Sequence, residues 1–163
     1  FLSHWCSAND YQLAITGRHY SEAEKLREYK FYKSIVNDDF VFLSPGEKCS
    51  SYCLVDEATI IAFIDSTLGY ESLARGYKVA AFTIRGFLLN IDGANFGWPG
   101  DYRDRGDFWT NTPNPSHFNK IMEYLRDVSD DEWSQVCGDT MSNIMSYDPG
   151  NEIVKDHLRQ IIE

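Results

Sequence analysis

Long apolar runs are missing from this sequence. The longest, Ile60 to Ile64, stops at Asp65, far short of the roughly 20 residues that a membrane-spanning helix needs. No signal peptide is visible. Positive charge is scarce: 15 Lys and Arg stand against 25 Asp and Glu, a formal net charge of −10. Duplex DNA and anionic membranes select clustered Lys and Arg, so nucleic acid is not an expected partner. An anionic ligand must be held locally, by a few arginines and backbone N–H groups. Proline and glycine are also few, 5 and 11 residues, while aromatics make up 15% of the chain. That composition folds rather than staying disordered. The 163 residues fit one domain, 1–163, large enough to bury a proper core. The chain begins Phe1-Leu2-Ser3 without Met, and reads as an excised fragment.

Cysteine is sparse. Cys49 and Cys53 have a helical spacing, which a zinc clip could use only with two more ligands nearby. His4, His19, His117 and His157 are scattered, with no pair at ligand spacing. Cys6 and Cys137 complete the set. The expectation is reduced thiols in a cytoplasmic protein, with no metal and no cofactor.

The secondary-structure signals alternate, the pattern of an α/β fold. Tyr11–Thr16 reads as a strand. Ser21 with Glu24 forms a capping box that opens a helix carrying Leu26, Tyr29, Phe31, Tyr32 and Ile35. Phe40–Leu43 is wholly apolar, the type buried on both faces of a parallel sheet, and Pro45-Gly46 closes it. A short helix is predicted from Ser50 to Glu57, a strand over Thr59–Ile64, and a helix from Asp65-Ser66-Thr67 through Arg75. Gly76 suits the C′ position, and Lys78–Thr83 is the next strand, its Lys78 in solvent. Four strands joined by helices predict a Rossmann-like, doubly wound parallel sheet of about four or five strands, with a helical C-terminal end. Residues 84–112 read as one long aromatic loop, ordered and functional. Helices follow over Pro115–Asp127, after the capping box Ser129–Glu132, and from about Asn151 to Ile162.

The segment that carries chemistry is Asp65-Ser66-Thr67-Leu68-Gly69-Tyr70-Glu71. It stands where a parallel strand's C-terminal end meets a helix N-terminus, the crevice in which open α/β sheets bind ligands. Free N–H groups and the helix dipole favour phosphate there. Ser66 and Thr67 add hydroxyl donors, Gly69 permits close approach, and Glu71 is placed to accept ribose hydroxyls. The bland alternative is an ordinary N-cap, a packing glycine and a dipole-complementing carboxylate. Neither the Walker A spacing nor the G-x-S-x-G nucleophile elbow is present. Arg18 and Arg85 follow strands and are candidate phosphate partners; for Arg18 the alternative is a surface ion pair with Glu22 or Glu24. Trp98, Phe108 and Trp109 could stack on a ligand ring or pack the loop down. Asp101, Asp104 and Asp107 alternate with Arg103 and Arg105, reading as a solvated, self-paired run. The catalytic base is unassigned, with His19 only a distant candidate.

The block D-S-T-L-G-Y-E-S-L-A-R-G, with Ile15-Thr16-Gly17-Arg18 and Gly106-Asp107-Phe108-Trp109-Thr110, resembles the nucleotide-sugar-binding half of GT-B glycosyltransferases. More narrowly, it resembles the bacterial capsule and O-antigen transferases related to Kdo transferases. The resemblance implies the C-terminal, donor-binding half of a surface-polysaccharide glycosyltransferase. Ser66, Thr67, Gly69, Glu71, Arg18 and Arg85 would bind nucleotide and phosphate. Where CMP-sugar transferases of this kind carry His-Pro, this chain has Gly17-Arg18-His19-Tyr20, and Arg18 can do the same electrostatic work. The implied partners are a nucleotide-sugar donor, a glycan acceptor and an N-terminal domain of the same protein, in the cytoplasm or at the inner membrane's surface. The alternatives are a non-catalytic nucleotide- or partner-binding Rossmann module and half of a nucleotide-sugar 2-epimerase.

Overall fold

The structure is a computed structural model, and it describes residues 1–36, 39–43, 51–91 and 93–162. The predicted Pro45-Gly46 turn and Cys49 lie outside the described residues. The chain divides into two compact units, Phe1–Thr59 and Ile60–Glu163.

The first unit runs α1 (Leu2–Ala8), β1 (Leu13–Thr16), α2 (Glu22–Ile35), β2 (Phe40–Leu43) and α3 (Ser51–Glu57). β1 and β2 pair in parallel, Leu13 opposite Phe40 through Thr16 opposite Leu43. The capping box forms as the sequence predicts: Ser21 Oγ accepts from the Glu24 N–H and donates to the Glu24 carboxylate. Helix α1, absent from the sequence reading, packs on β1 and buries Trp5 and Cys6. The core of this unit is thin. α2 buries none of its residues, and Tyr29 and Tyr32 only lean on Phe42, with ring centroids 5.8 and 6.1 Å away.

The second unit runs β3 (Ile61–Phe63), α4 (Thr67–Ala74), β4 (Val79–Ala81), α5 (Arg85–Leu89), α6 (Pro115–Asp127), α7 (Asp130–Met141) and α8 (Glu152–Ile162). β3 and β4 are parallel, Ile61 opposite Val79. α4 packs on both strands, α7 on α4, and α6 on β4. Trp133 of α7 donates its indole N–H to the Gly76 carbonyl, and Cys137 donates to the Leu73 carbonyl. Burial pushes the Cys137 thiol up to about 11, which makes it a packing residue rather than a nucleophile.

The doubly wound sheet of four or five strands is not what the chain forms: the described residues form two separate two-stranded parallel sheets. Two physical reasons are visible. The apolar run Phe40–Leu43 is only half-buried along its whole length, so it is not a central strand. β4 is central, with Val79, Ala80 and Ala81 wholly buried, but its second edge is not taken by another regular strand. Ala81 N–H donates to Phe108 O at 2.9 Å, and Thr110 N–H donates to Ala81 O at 3.0 Å. The returning end of the aromatic segment stands where the next strand was expected.

That segment is not one loop either. It begins with α5, and its aromatic rings then build a core of their own. Phe96 stacks on Trp109 at 4.8 Å and on Tyr70 at 5.7 Å, and meets Phe108 edge-on at 5.6 Å. Phe108 is fully buried, whereas Trp98 is two-thirds exposed. Lys78, expected in solvent, donates to the Val128 carbonyl that ends α6 and pairs with Asp130 at the start of α7. A cation at a helix C-terminus is favourable there.

The buried side chain of Asn111 ties the segment to β4. Its Oδ1 accepts from the Phe96 N–H (2.9 Å) and the Thr83 hydroxyl (2.6 Å), and two donors on one atom fix the amide's orientation. Asn111→Ala strands the Phe96 N–H, so we expect a loss of about 1–3 kcal/mol, measured by urea unfolding.

Candidate functional site

The residues singled out from the sequence fall in both units. Arg18, after β1, belongs to the first. Its N–H donates to Glu28 and its Nε to His19 Nε2 at 3.1 Å. Ser66, Thr67, Gly69, Glu71 and Arg85 belong to the second. Ser66 is the N-cap of α4 in extended conformation, yet its side chain makes no capping bond, and both it and Thr67 are exposed. Gly69 is buried because α4 lies directly on Phe63: a Cβ there would sit 2.2 Å from the ring. Glu71 is half-buried one turn further on. Arg85 is ion-paired with Asp65, the residue before Ser66. The turn therefore assembles its hydroxyls at the end of β3, with a carboxylate engaging the arginine.

The same unit holds a cleft of about 340 Å³ between the aromatic segment and α6, which the sequence reading missed. α6 presents His117, Lys120, Ile121 and Tyr124 to it, the i, i+3, i+4, i+7 face of a helix. The facing wall is Arg103, Arg105, Asp107 and Trp109. That wall is held by a tight return of the chain: Arg105 bridges Thr110, and the Gly106 N–H donates to Trp109 O at 3.0 Å. Only glycine fits at 106, since a Cβ would lie 2.1 Å from the Trp109 ring. Trp109 is pinned by its indole N–H on Arg103 O at 3.1 Å.

Three cations and one carboxylate, Asp107, line this cleft, a local excess of positive charge on a protein of net charge −10. His117 stands in the first turn of α6, whose dipole adds to that potential. Arg105 Nη1 lies 2.7 Å from His117 Nε2. A guanidinium can only donate, so Nε2 accepts and the ring proton sits on Nδ1, which faces the Thr110 and Thr112 hydroxyls at 3.5 Å. Among the described residues no ion pair joins Arg103 or Arg105 to Asp101, Asp104 or Asp107, so the run is not self-paired. The Tyr124 hydroxyl is buried without a hydrogen-bond partner, and burial, reinforced by the Glu132 and Asp107 charges, holds its pKa above the usual range.

Over residues 1–162 the chain matches a family described as "putative O-antigen biosynthesis protein". The chain belongs to that family. No curated protein and no solved structure matches it. Membership in an O-antigen biosynthesis family places the protein in surface-carbohydrate biosynthesis. No helix among the described residues is long and apolar enough to cross a membrane. Nor do three His, Cys, Asp or Glu side chains gather among them in a group that could hold a metal ion.

The cleft left one signal in the sequence. The mixed stripe His117, Lys120, Ile121, Tyr124 is legible on a helix whose bounds the sequence gives correctly, but its facing wall depends on the chain return at Gly106.

Two substitutions separate packing from ligand roles. Gly69→Ala drives a methyl into Phe63 and should cost about 1–3 kcal/mol, with a smaller penalty when Phe63 is already Leu; thermal unfolding of the single and double variants tests this. Tyr124→Phe removes a buried hydroxyl that bonds nothing, so the melting temperature should hold or rise.

Proposed function

We propose that this O-antigen biosynthesis protein binds a nucleotide-sugar donor in the cleft between the aromatic segment and α6. The observation that carries the reading is the gathering of Arg103, Arg105 and Lys120 at the first turns of α6, in a chain whose overall charge repels anions. A diphosphate fits that potential, since charge-assisted bonds to guanidinium are strong and directional. Asp107 is an acceptor for sugar hydroxyls. In glycosyl transfer such cations would stabilise the departing nucleotide phosphate, where negative charge develops. The glycan acceptor belongs to the same proposal. The likeness to GT-B enzymes contributes only the substrate class, because the described residues form no doubly wound sheet.

A second placement has its own support. Ser66 caps α4 without a side-chain bond, which leaves its hydroxyl and the helix N-terminus for a phosphate, with Thr67, Glu71 and Arg85 around it.

Thermal unfolding with CMP, UDP, GDP and their sugars tests both. A ligand at 100 times its dissociation constant adds about 2.7 kcal/mol, so a selective rise in melting temperature with one base is expected. Arg105→Ala with Lys120→Ala should weaken binding about tenfold or more, while Ser66→Ala with Thr67→Ala should leave it unchanged. The reverse pattern would move the phosphate to the α4 turn. No shift with any member of the panel overturns the reading.

A further inference from the structure

The contact between Arg105 and His117 is unusual for its surroundings. Arg105 is exposed, and among the described residues no carboxylate holds it; its guanidinium instead covers the one lone pair of a neutral imidazole at 2.7 Å. His117 is anchored from behind, with Nδ1 toward Thr110 and Thr112, so its Nε2 has a fixed direction into the wall of the cleft.

We propose that Arg105 and His117 form an anion-gated pair, in which His117 Nε2 is the proton acceptor of the site. The proposal rests on the reading that the cleft takes a phosphate-bearing donor. A phosphate is a stronger acceptor for a guanidinium than a neutral ring nitrogen, so its arrival draws Arg105 off and uncovers Nε2. The uncovered lone pair then faces a hydroxyl brought by the second substrate. In transfer, the acceptor O–H bond breaks and its proton goes to Nε2. The oxygen bonds to the donor sugar's C1, and the C1–O bond to phosphate breaks with its electron pair on the phosphate, beside Arg105 and Lys120. Thr110 and Thr112 keep hold of Nδ1–H throughout. The new positive charge on the ring is offset by the bound phosphate and by Asp107, against Arg103, Arg105 and Lys120; Tyr124 is neutral. An empty cleft thus presents a capped base.

The test uses the full chain with ¹⁵N-labelled histidine, His117 being assigned from His117→Gln among the four histidines. Arg105→Met removes the donor, and the Nε2 resonance should move downfield without ligand; an unmoved resonance overturns the pair. Inorganic pyrophosphate is then titrated, with calorimetry reporting binding. Saturation should move His117 Nε2 and leave His4, His19 and His157 in place. Binding that leaves Nε2 unmoved overturns the gating but not the donor-binding reading. No binding overturns that reading and the gating with it, while the Arg105→Met arm still decides whether the pair exists.

Discussion

Strand β4 is the constraint on which the second unit is built. Val79, Ala80 and Ala81 are wholly buried, and both edges of this three-residue strand are hydrogen-bonded, one to β3 and the other to residues 108–110. A buried backbone must find partners for its N–H and C=O groups. Ala81 can satisfy its own only if Phe108 and Thr110 arrive beside it. That requirement brings Phe108 back to Ala81 across the 26 residues between them and fixes where the aromatic segment ends. The returning chain sets the Arg105–Thr110 bridge, and the bridge sets the wall of the cleft.

The aromatic rings make that wall firm. Phe96 lies between Tyr70 and Trp109, stacked on each within about 20° of parallel, and Asn111 holds the Phe96 backbone from below. Trp109 is thereby largely committed to packing and is buried, although it also lines the cleft. A wall locked by packing and by second hydrogen bonds spends less binding energy on ordering itself when a ligand arrives. The Thr83–Asn111 bond and the Thr110 and Thr112 contacts of His117 continue this support to α6.

Local rules were legible and tertiary competition was not. Ser21–Glu24 and Ser129–Glu132 cap helices where the sequence places them, and Pro115 opens α6, because caps depend on neighbours three residues apart. The two β-α-β units were legible for the same reason, each being a strand, a helix and a strand with short connections. Their union into one sheet was not, since sheet membership depends on which segment wins an edge. At Ala81 the winner was Phe108–Thr110, a stretch with aromatic packing and no strand pattern. The candidate site divides likewise. Ser66, Thr67 and Gly69 could be placed at a strand end from sequence, and Gly69 proved to be seated on Phe63. Arg103 and Arg105 could not be placed, because the alternation D-Y-R-D-R-G-D predicts mutual pairing and the return at Gly106 separates the charges instead.

An acidic protein that handles anions must do so over a short range. At physiological ionic strength, screening confines the influence of surface charge to about 8 Å, so the carboxylates spread over the rest of the surface weigh little inside a cleft with low-dielectric walls. Within that distance the balance is set by Arg103, Arg105 and Lys120 against Asp107, with the first turn of α6 on the positive side. The excess charge outside still acts on approach, slowing anions in general, while the cleft carries a local excess of positive charge. Capping His117 with Arg105 follows from the same economy of positive charge. Among the described residues no carboxylate pairs with Arg105, and the imidazole nitrogen of His117 is the acceptor at hand.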